Sequence, residues 1–317
     1  MSFRGFIGLV FLVLYSNAVV SQINYPIDTS YTLESAYQKY LKNYPSIKKV
    51  LVDSKPGVKR HKALVYKKTE DRSLFLDAFL NETEKPLPAV ILIHGGGWKS
   101  GSKELMAPLA NSIAAKGYQC FTIEYRLSPE AKFPAGLFDI KEGIKFVKQQ
   151  SEVFGVDPSK VAVIGCSAGG QLAALIGATT NNSDFEDDTS EVKQSVEVQA
   201  VVDIDGVLAF KHPLSEEGKV AGEWLGGSYE AVPHVWENAS ALNHIDKNTP
   251  PMLFIGSKYP RFLAGKEEVK TTLNQYGIYW DELLFSDAPH SFWLFHPWFD
   301  ETVQKVVLFL DRTLKKL

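Results

Sequence analysis

A serine lies between two glycines in the segment Gly165-Cys166-Ser167-Ala168-Gly169. This G-x-S-x-G pattern follows an apolar run over residues 161–164 and precedes a helical pattern that starts near Gln171. A sharp turn between a strand and a helix lifts a serine hydroxyl above a sheet, and only small neighbours fit such a turn. The N-terminus of the helix favours the negative charge that develops when a serine attacks a carbonyl carbon. The spacing therefore predicts that Ser167 is a nucleophile in acyl transfer.

Three consecutive glycines follow an earlier apolar run, in the segment His94-Gly95-Gly96-Gly97-Trp98. Glycine backbones can turn their amides toward one point because they carry no side chain. Amides grouped in this way can hold the oxyanion of a tetrahedral intermediate, and each donor contributes about 10²–10³ in rate. The segment therefore indicates an oxyanion-binding loop, which we expect His94 to orient.

His290 is the histidine best placed to act as a general base. It lies in the segment Asp287-Ala288-Pro289-His290-Ser291-Phe292, just after the last predicted strand. A histidine on such a loop can reach a nucleophile at the same edge of the sheet. We interpret five other histidines as structural because they fall in exposed or inserted segments: His61, His212, His234, His244 and His296.

A catalytic histidine needs a partner that fixes its tautomer and stabilises its charged form. Asp205 is the first candidate because it ends a strand expected beside that of the nucleophile and because a glycine follows it. Glu267, at the start of a helical pattern, and Asp287, three residues before the histidine, are the alternatives in that order. Asp203, deeper on the strand of Asp205, is a candidate supporting residue. A water or a backbone carbonyl could also orient the histidine.

These segments lie at the ends of regularly alternating elements. Short apolar runs alternate with helical patterns, which predicts a mostly parallel sheet flanked by helices. Functional loops of such a sheet lie at the carboxyl ends of its strands. Strands are predicted near residues 62–68, 73–81, 89–94, 120–124, 161–165, 200–204, 252–256 and 282–285. Helices are predicted near residues 33–44, 105–116, 135–150, 171–179, 266–276 and 300–316.

Two polar segments interrupt the alternation, residues 181–198 and 207–245. Both contain few apolar runs, and the second carries two prolines and several glycines. We interpret both as insertions over the carboxyl edge of the sheet, where they would shape a substrate pocket.

The motifs quoted above, together with Tyr125-Arg126-Leu127, resemble the α/β-hydrolase esterases related to acetylxylan and feruloyl esterases and to the hormone-sensitive-lipase group. The resemblance covers about residues 62–316. It implies the α/β-hydrolase fold and an oxyanion hole formed by the amides of Gly96, Gly97 and Ala168. It also implies a structural ion pair between Arg126 and Asp139.

One departure from that family concerns the acid. The family usually carries the acid a few residues after the glycine that ends the seventh strand, here within residues 256–262. Tyr259 holds the expected position, and the first carboxylate beyond it is Glu267. Some lipases resemble this chain in holding their acid at the end of the sixth strand, which is the position of Asp205.

Aromatic residues are frequent near the carboxyl end, and aromatic faces can stack on sugar rings. Trp98 and Trp293 adjoin predicted site residues, so we assign both to the substrate pocket. Arg261 follows a proline in the altered loop, where it could bind an acidic sugar or serve as a surface or capping residue.

The first residues are typical of an export signal. Arg4 precedes an apolar run over residues 6–15 that is too short to span a bilayer, and small residues lead to a predicted cleavage after Ser21. An uncleaved membrane anchor is the alternative. We therefore predict a signal peptide over residues 1–21, an N-terminal arm over 22–60 and a catalytic domain over 61–317.

The net charge of -3 gives no basic footprint for nucleic acid, and Cys120 and Cys166 are expected to be free buried thiols. We predict a secreted or periplasmic serine carboxylesterase that removes acetyl or similar small acyl groups from plant or algal polysaccharide. No cofactor or metal is needed for that reaction, and no stable membrane insertion is expected after cleavage. The alternatives are a peptidase of the prolyl-oligopeptidase type and a non-catalytic carbohydrate-binding protein on a hydrolase scaffold.

Overall fold

An eight-stranded sheet forms the centre of the protein. The computed structural model describes residues 28–187, 190 and 192–315. The strands are β1 (Lys48–Lys49), β2 (Val58–Lys68), β3 (Ser73–Asn81), β4 (Leu87–Ile93), β5 (Gln119–Ile123), β6 (Val156–Cys166), β7 (Ala200–Ile204), β8 (Met252–Gly256), β9 (Trp280–Leu284) and β10 (Phe295–His296). The large sheet has the order β2-β3-β5-β4-β6-β7-β8-β9, and β1 pairs separately with β10. Strands β5, β4, β6, β7, β8 and β9 are parallel, and β3 is antiparallel to both of its neighbours. The mostly parallel sheet predicted from the sequence is thereby confirmed.

Helices cover both faces of this sheet. They are α1 (Leu33–Leu41), α2 (Ala107–Ala114), α3 (Ala135–Gln149), α4 (Ser151–Phe154), α5 (Ala168–Ala178), α6 (Gly218–Leu225), α7 (Pro233–Ala239), α8 (Lys266–Gln275) and α9 (Trp298–Leu310). On one face, α3 and α5 bury Ile140, Ile144 and Leu172 against the sheet. On the other face, α2 and α9 bury Ile113, Val306 and Phe309. Each core strand is enclosed from both sides, which explains its continuous apolar sequence.

The predicted arm, where the structure describes it, belongs to the second of these faces. Ala36 and Tyr40 of α1 are buried in the same apolar cluster as α2 and α9. The helix begins with a capping box in which Thr32 and Ser35 satisfy each other's backbone amides. Residues Lys48 and Lys49 then pair with His296 and Phe295, so the arm is attached to the part of the chain that follows His290.

The two polar segments occupy different places. Residues 207–245 follow the carboxyl end of β7 and contain α6 and α7, as expected for an insertion at that edge. Residues 181–198, where described, instead run along α3, because Lys141 donates to the Phe185 carbonyl and Lys148 to that of Glu197. This segment buries the polar side of α3, and its expected place over the carboxyl edge is corrected. We call residues 207–245 the cap.

Several further expectations concern single residues or the chain's beginning. Cys120 and Cys166 are free and buried, as predicted. The predicted signal peptide and residues 22–27 of the arm lie outside the described residues. Within the part of the chain that the structure describes, no helix is long and apolar enough to cross a membrane.

Candidate active site

The turn between β6 and α5 presents Ser167 at the carboxyl edge of the sheet. Ser167 adopts φ 57° and ψ -121°, a conformation that a residue with a side chain rarely takes. Its amide donates to the Ile204 carbonyl over 2.7 Å, which ties the turn to the end of β7. A Cβ at Gly165 would lie 1.8 Å from the Gly169 carbonyl oxygen, so no side chain fits at that position. The strand–turn–helix context expected for the motif is present.

His290 lies between Ser167 and Asp205. Its Nε2 is 2.9 Å from Ser167 Oγ, and its Nδ1 is 2.8 Å from Asp205 Oδ2. A carboxylate accepts hydrogen bonds, so Nδ1 carries the hydrogen and Nε2 is free to accept the serine proton. The side chain of His290 is 15% exposed, whereas that of Asp205 is fully buried. This arrangement can therefore activate the serine hydroxyl at a site that solvent reaches.

Asp205 is fixed from two sides. Its Oδ1 accepts a hydrogen bond from the amide of Ser257 over 2.7 Å, while its Oδ2 contacts the histidine. Its own backbone has φ 52°, and Gly206 follows. Ser257 starts the loop after β8, so that loop orients the aspartate by a backbone amide instead of supplying a carboxylate.

The other two candidate carboxylates lie elsewhere. Glu267 is 69% exposed and pairs with Lys266 and Lys270. Asp287 accepts a hydrogen bond from the indole nitrogen of Trp298 over 3.1 Å. The structure therefore brings the first-ranked candidate to His290 and neither alternative.

The glycine loop after β4 faces the nucleophile. A Cβ at Gly95 would lie 2.9 Å from the Cβ of Ser167, which shows how closely the two loops approach. Gly96 and Gly97 have φ 131° and 60°. Among the described residues, no hydrogen bond engages their amides. The amide of Ala168, at the first position of α5, has no partner within its own helix. All three predicted oxyanion donors are thus free to bind an oxyanion.

His94 supports this loop from within the core. Its Nδ1 donates to the Gly95 carbonyl over 2.9 Å, and its ring stacks on Tyr125 with centroids 4.6 Å apart. Complete burial lowers the pKa of His94 to about 4, so the imidazole is neutral in ordinary buffers. A neutral ring with one fixed hydrogen suits the orienting role predicted for it.

The three residues predicted to bind substrate have different environments. Trp98 is only 2% exposed, stacks on Trp224 of the cap at 4.8 Å and donates to Gln171. It offers no free face to a sugar, so its predicted role is corrected: Trp98 joins the glycine loop after β4 to the cap. Trp293 is 3% exposed and meets the ring of His290 edge to face, so it packs behind the base and is corrected in the same way.

Arg261 does lie at the site, together with two residues that the sequence did not indicate. Phe262 stacks on His290 with centroids 3.5 Å apart and 11° between the rings. The Arg261 guanidinium lies 4.0 Å from the centroid of Phe262, and its Nη1 donates to Glu217 of the cap over 2.9 Å. Neither Phe262 nor Glu217 belongs to a motif. The contact of Phe262 forms where the loop after β8 meets the loop of His290, and that of Glu217 forms where it meets the cap.

The predicted ion pair between Arg126 and Asp139 is present. Two guanidinium nitrogens of Arg126 contact the two oxygens of the buried Asp139, each over 2.8 Å. Lys67 donates to the same carboxylate. Because the pair joins the loop after β5 to α3, its role is structural. Among the described residues, no group of three or more His, Cys, Asp or Glu side chains could hold a metal ion.

Several esterases are similar to this chain in sequence. It is 30% identical to the esterase LipC of Mycobacterium tuberculosis over 211 residues, which are 63% of this chain and 52% of LipC. It is 39% identical to the carboxylesterase NlhH of the same organism over 92 residues, 28% of either protein. The matched region spans about half the length of LipC and less of NlhH.

Solved structures share the fold. A bifunctional GH43-CE protein of Bacteroides eggerthii superposes with a TM-score of 0.69 at 23% identity, covering 80% of this chain and 38% of that one. A truncated carbohydrate esterase from gut microbiota gives a TM-score of 0.67 at 21% identity, covering 83% and 99%. The profile of the BD-FAE family matches residues 76–261, more than half of the chain. The chain therefore has the α/β-hydrolase fold and belongs to the BD-FAE family.

Proposed function

We propose that this protein is a serine carboxylesterase that removes acetyl or similar small acyl groups from plant or algal polysaccharide. The observation that carries the proposal is the chain of hydrogen bonds from Ser167 through His290 to Asp205. It lies opposite amides that are free to bind an oxyanion. The names of similar proteins support esterase activity, and the carbohydrate esterases among the structural neighbours support a glycan substrate.

In the proposed mechanism each group has its own step. His290 Nε2 accepts the proton from Ser167 Oγ while that oxygen attacks the ester carbonyl carbon. The resulting oxyanion is held by the amides of Gly96, Gly97 and Ala168. His290 then gives its proton to the leaving alcohol, and the acyl group stays on the serine. Water, deprotonated by the same histidine, releases the acid and restores the serine.

The proposal extends to where the protein acts. The apolar run over residues 6–15 with a preceding Arg4 supports export, so we place the enzyme outside the cytoplasm, secreted or periplasmic. Polymeric glycans occur outside cells, which agrees with such a location. Detection of the processed chain, starting after Ser21, in culture medium or periplasm would test this part.

Acid release from a panel of acetylated and feruloylated polysaccharides is the direct test. Wild-type protein should release acetate, and Ser167→Ala should lose about 10⁶ in kcat because nucleophile and base act as a unit. Retention of a tenth of the wild-type activity in Ser167→Ala would refute the assignment. Release of ferulate without acetate would support esterase activity but show that the acyl group removed is feruloyl instead of acetyl.

A further inference from the structure

The loop after β8 builds a stack of three side chains on the general base. Phe262 is 8% exposed and covers one face of His290, and the Arg261 guanidinium lies against the ring of Phe262. A guanidinium gains electrostatic energy on an aromatic ring, which holds both side chains in place. The loop thus fixes a cationic group one aromatic ring away from His290.

The cap supplies two carboxylates that face this cation. Glu217, just before α6, is 14% exposed and accepts from Arg261 Nη1, whereas Glu216 is 71% exposed and lies 3.6 Å from Arg261 Nε. Arg261 keeps 36% of its side chain in solvent. In the described part of the chain, no hydrogen bond uses Arg261 Nη2 or Glu217 Oε2. The pair therefore presents donors and one acceptor side by side.

The position of the pair corresponds to the alcohol part of an ester. His290 must approach the oxygen of the leaving alcohol to give it a proton, so the alcohol lies beside the histidine. The acyl group lies toward the oxyanion amides instead. Adjacent donors and acceptors match the neighbouring hydroxyls of a sugar ring. An alkyl alcohol would cover the same groups without replacing their hydrogen bonds to water.

We propose that Glu217 and Arg261 form a subsite that hydrogen-bonds the ring hydroxyls of a neutral sugar leaving as the alcohol. This inference rests on the esterase function proposed above. It specifies a neutral sugar because Arg261 already faces two carboxylates, so an acidic sugar would meet no unmatched positive charge. The sugar hydroxyls would donate to Glu217 and accept from Arg261.

Two acetate esters of six-membered rings test this subsite, one whose ring carries the oxygens and free hydroxyls of a sugar and one whose ring carries neither. The pair is a monoacetylated methyl xyloside and cyclohexyl acetate, with 4-nitrophenyl acetate as the measure of intact chemistry. Glu217→Gln and Arg261→Met should each lower kcat/KM for the xyloside roughly 10- to 100-fold, the effect of a hydrogen bond to a charged group. Both should change kcat/KM for cyclohexyl acetate less than threefold. Glu216→Gln, which removes the adjacent charge, is the matched control and should leave both values unchanged.

Other outcomes separate the inference from the function. If wild-type protein hydrolyses none of the three esters, the proposed function fails and this inference with it. If 4-nitrophenyl acetate is hydrolysed but the variants lower both matched esters equally, the pair is structural and the subsite is refuted. A preference of the wild type for an acetylated methyl glucuronide over the xyloside, lost in Arg261→Met, would also refute it in favour of an acidic sugar.

Discussion

Backbone strain in this protein is concentrated at single residues around the active site. Five described residues other than glycine have a positive φ, and four of them adjoin the site: Trp98, Ser167, Asp205 and Ser291. Such conformations cost about 1–3 kcal/mol each and persist only when the surrounding contacts hold them. The contacts here include the bonds from Ser167 to Ile204 and from Tyr31 to Ser291. Part of the folding energy is therefore used to keep these residues in place.

Asp205 should be the carboxylate on which turnover depends. Without its charge, His290 would lose the acceptor that fixes its tautomer. Asp205→Asn is therefore expected to lower kcat about 10³–10⁴-fold, while Glu267→Gln and Asp287→Asn stay close to wild type. Turnover of 4-nitrophenyl acetate measures the effect, with circular dichroism as the folding control. A large loss in Glu267→Gln with a folded, active Asp205→Asn would contradict the assignment.

Asp203 should destabilise the fold as the pH rises. It is fully buried, and burial followed by the nearby charge of Asp205 raises its pKa well above the ordinary value, against a smaller opposing effect of the Gly206 backbone. A raised pKa in the folded state means that the folded chain keeps a proton that the unfolded chain releases above about pH 4. The contribution of this proton to the free energy of unfolding is therefore fully present below that pH and is lost as the pH rises.

Asp203→Asn cannot titrate and is the test. Urea unfolding between pH 4 and 8 should show the free energy of unfolding of the variant gaining on that of the wild type as the pH increases. A difference between the two proteins that stays constant over this range would show that Asp203 is ionised in the fold.

At the scale of elements, the arm reaches two loops of the proposed active site. Tyr31, just before α1, donates its hydroxyl hydrogen to Ser291 Oγ over 2.8 Å, beside His290. Asp28 bridges to Ser100 and lies 3.6 Å from Lys99, both of which follow the oxyanion glycines. The arm thus connects the loop of His290 to the glycine loop after β4.

Removing the Tyr31 hydroxyl should make the position of His290 less well fixed. Tyr31→Phe is expected to lower kcat about fivefold, which corresponds to one hydrogen bond of about 1 kcal/mol, with little change in KM. Tyr37→Phe is the matched control, because in the described structure the Tyr37 hydroxyl makes no hydrogen bond. Unchanged kcat in Tyr31→Phe, or equal losses in both variants, would show that the contact does not position His290.

Elements were predictable where their own sequence determines them. The bounds predicted for β7 and β8 agree with the structure because each is a short apolar run buried on both faces. Ser167 and Asp205 were predictable because each directly follows a strand, and His290 because its loop follows β9. The course of residues 181–198 was not, since a polar segment has the same composition whether it covers a site or a helix. The contacts of Trp98 and Glu217 depend on the cap, whose path no local pattern determines.

On the scale of the whole molecule, the site depends on contacts between distant parts of the chain. Ser167 and His290 are 123 positions apart, and Tyr31 and Ser291 are 260 apart. The residues meet because parallel strands place their following loops at one edge and because the arm returns to that edge. Loss of the global fold should therefore abolish the site as a unit. Activity in acid should then depend on how stable the fold is at that pH.

His94 should contribute to that acid sensitivity. Burial, opposed by its bond to Gly95 and the charge of Glu104, lowers its pKa from 6.5 to about 4. A lowered pKa in the folded state means that, between about pH 6.5 and 4, His94 binds a proton in the unfolded chain but not in the folded chain. Stability is therefore present above pH 6.5 and declines by up to roughly 3 kcal/mol as the pH falls to 4.

His94→Asn should reduce this acid dependence, because its amide can still donate to the Gly95 carbonyl but does not titrate. The variant should be less stable than wild type at pH 7, where the stacking on Tyr125 is lost. Its free energy of unfolding should then fall less steeply toward pH 4, so that the two proteins converge. Urea unfolding at intervals between pH 7 and 4 measures how the free energy of unfolding of each protein depends on pH. The contributions of the other titrating groups cancel when one slope is subtracted from the other. Parallel slopes would mean that the folded protein accepts a proton at His94 as readily as the unfolded chain does.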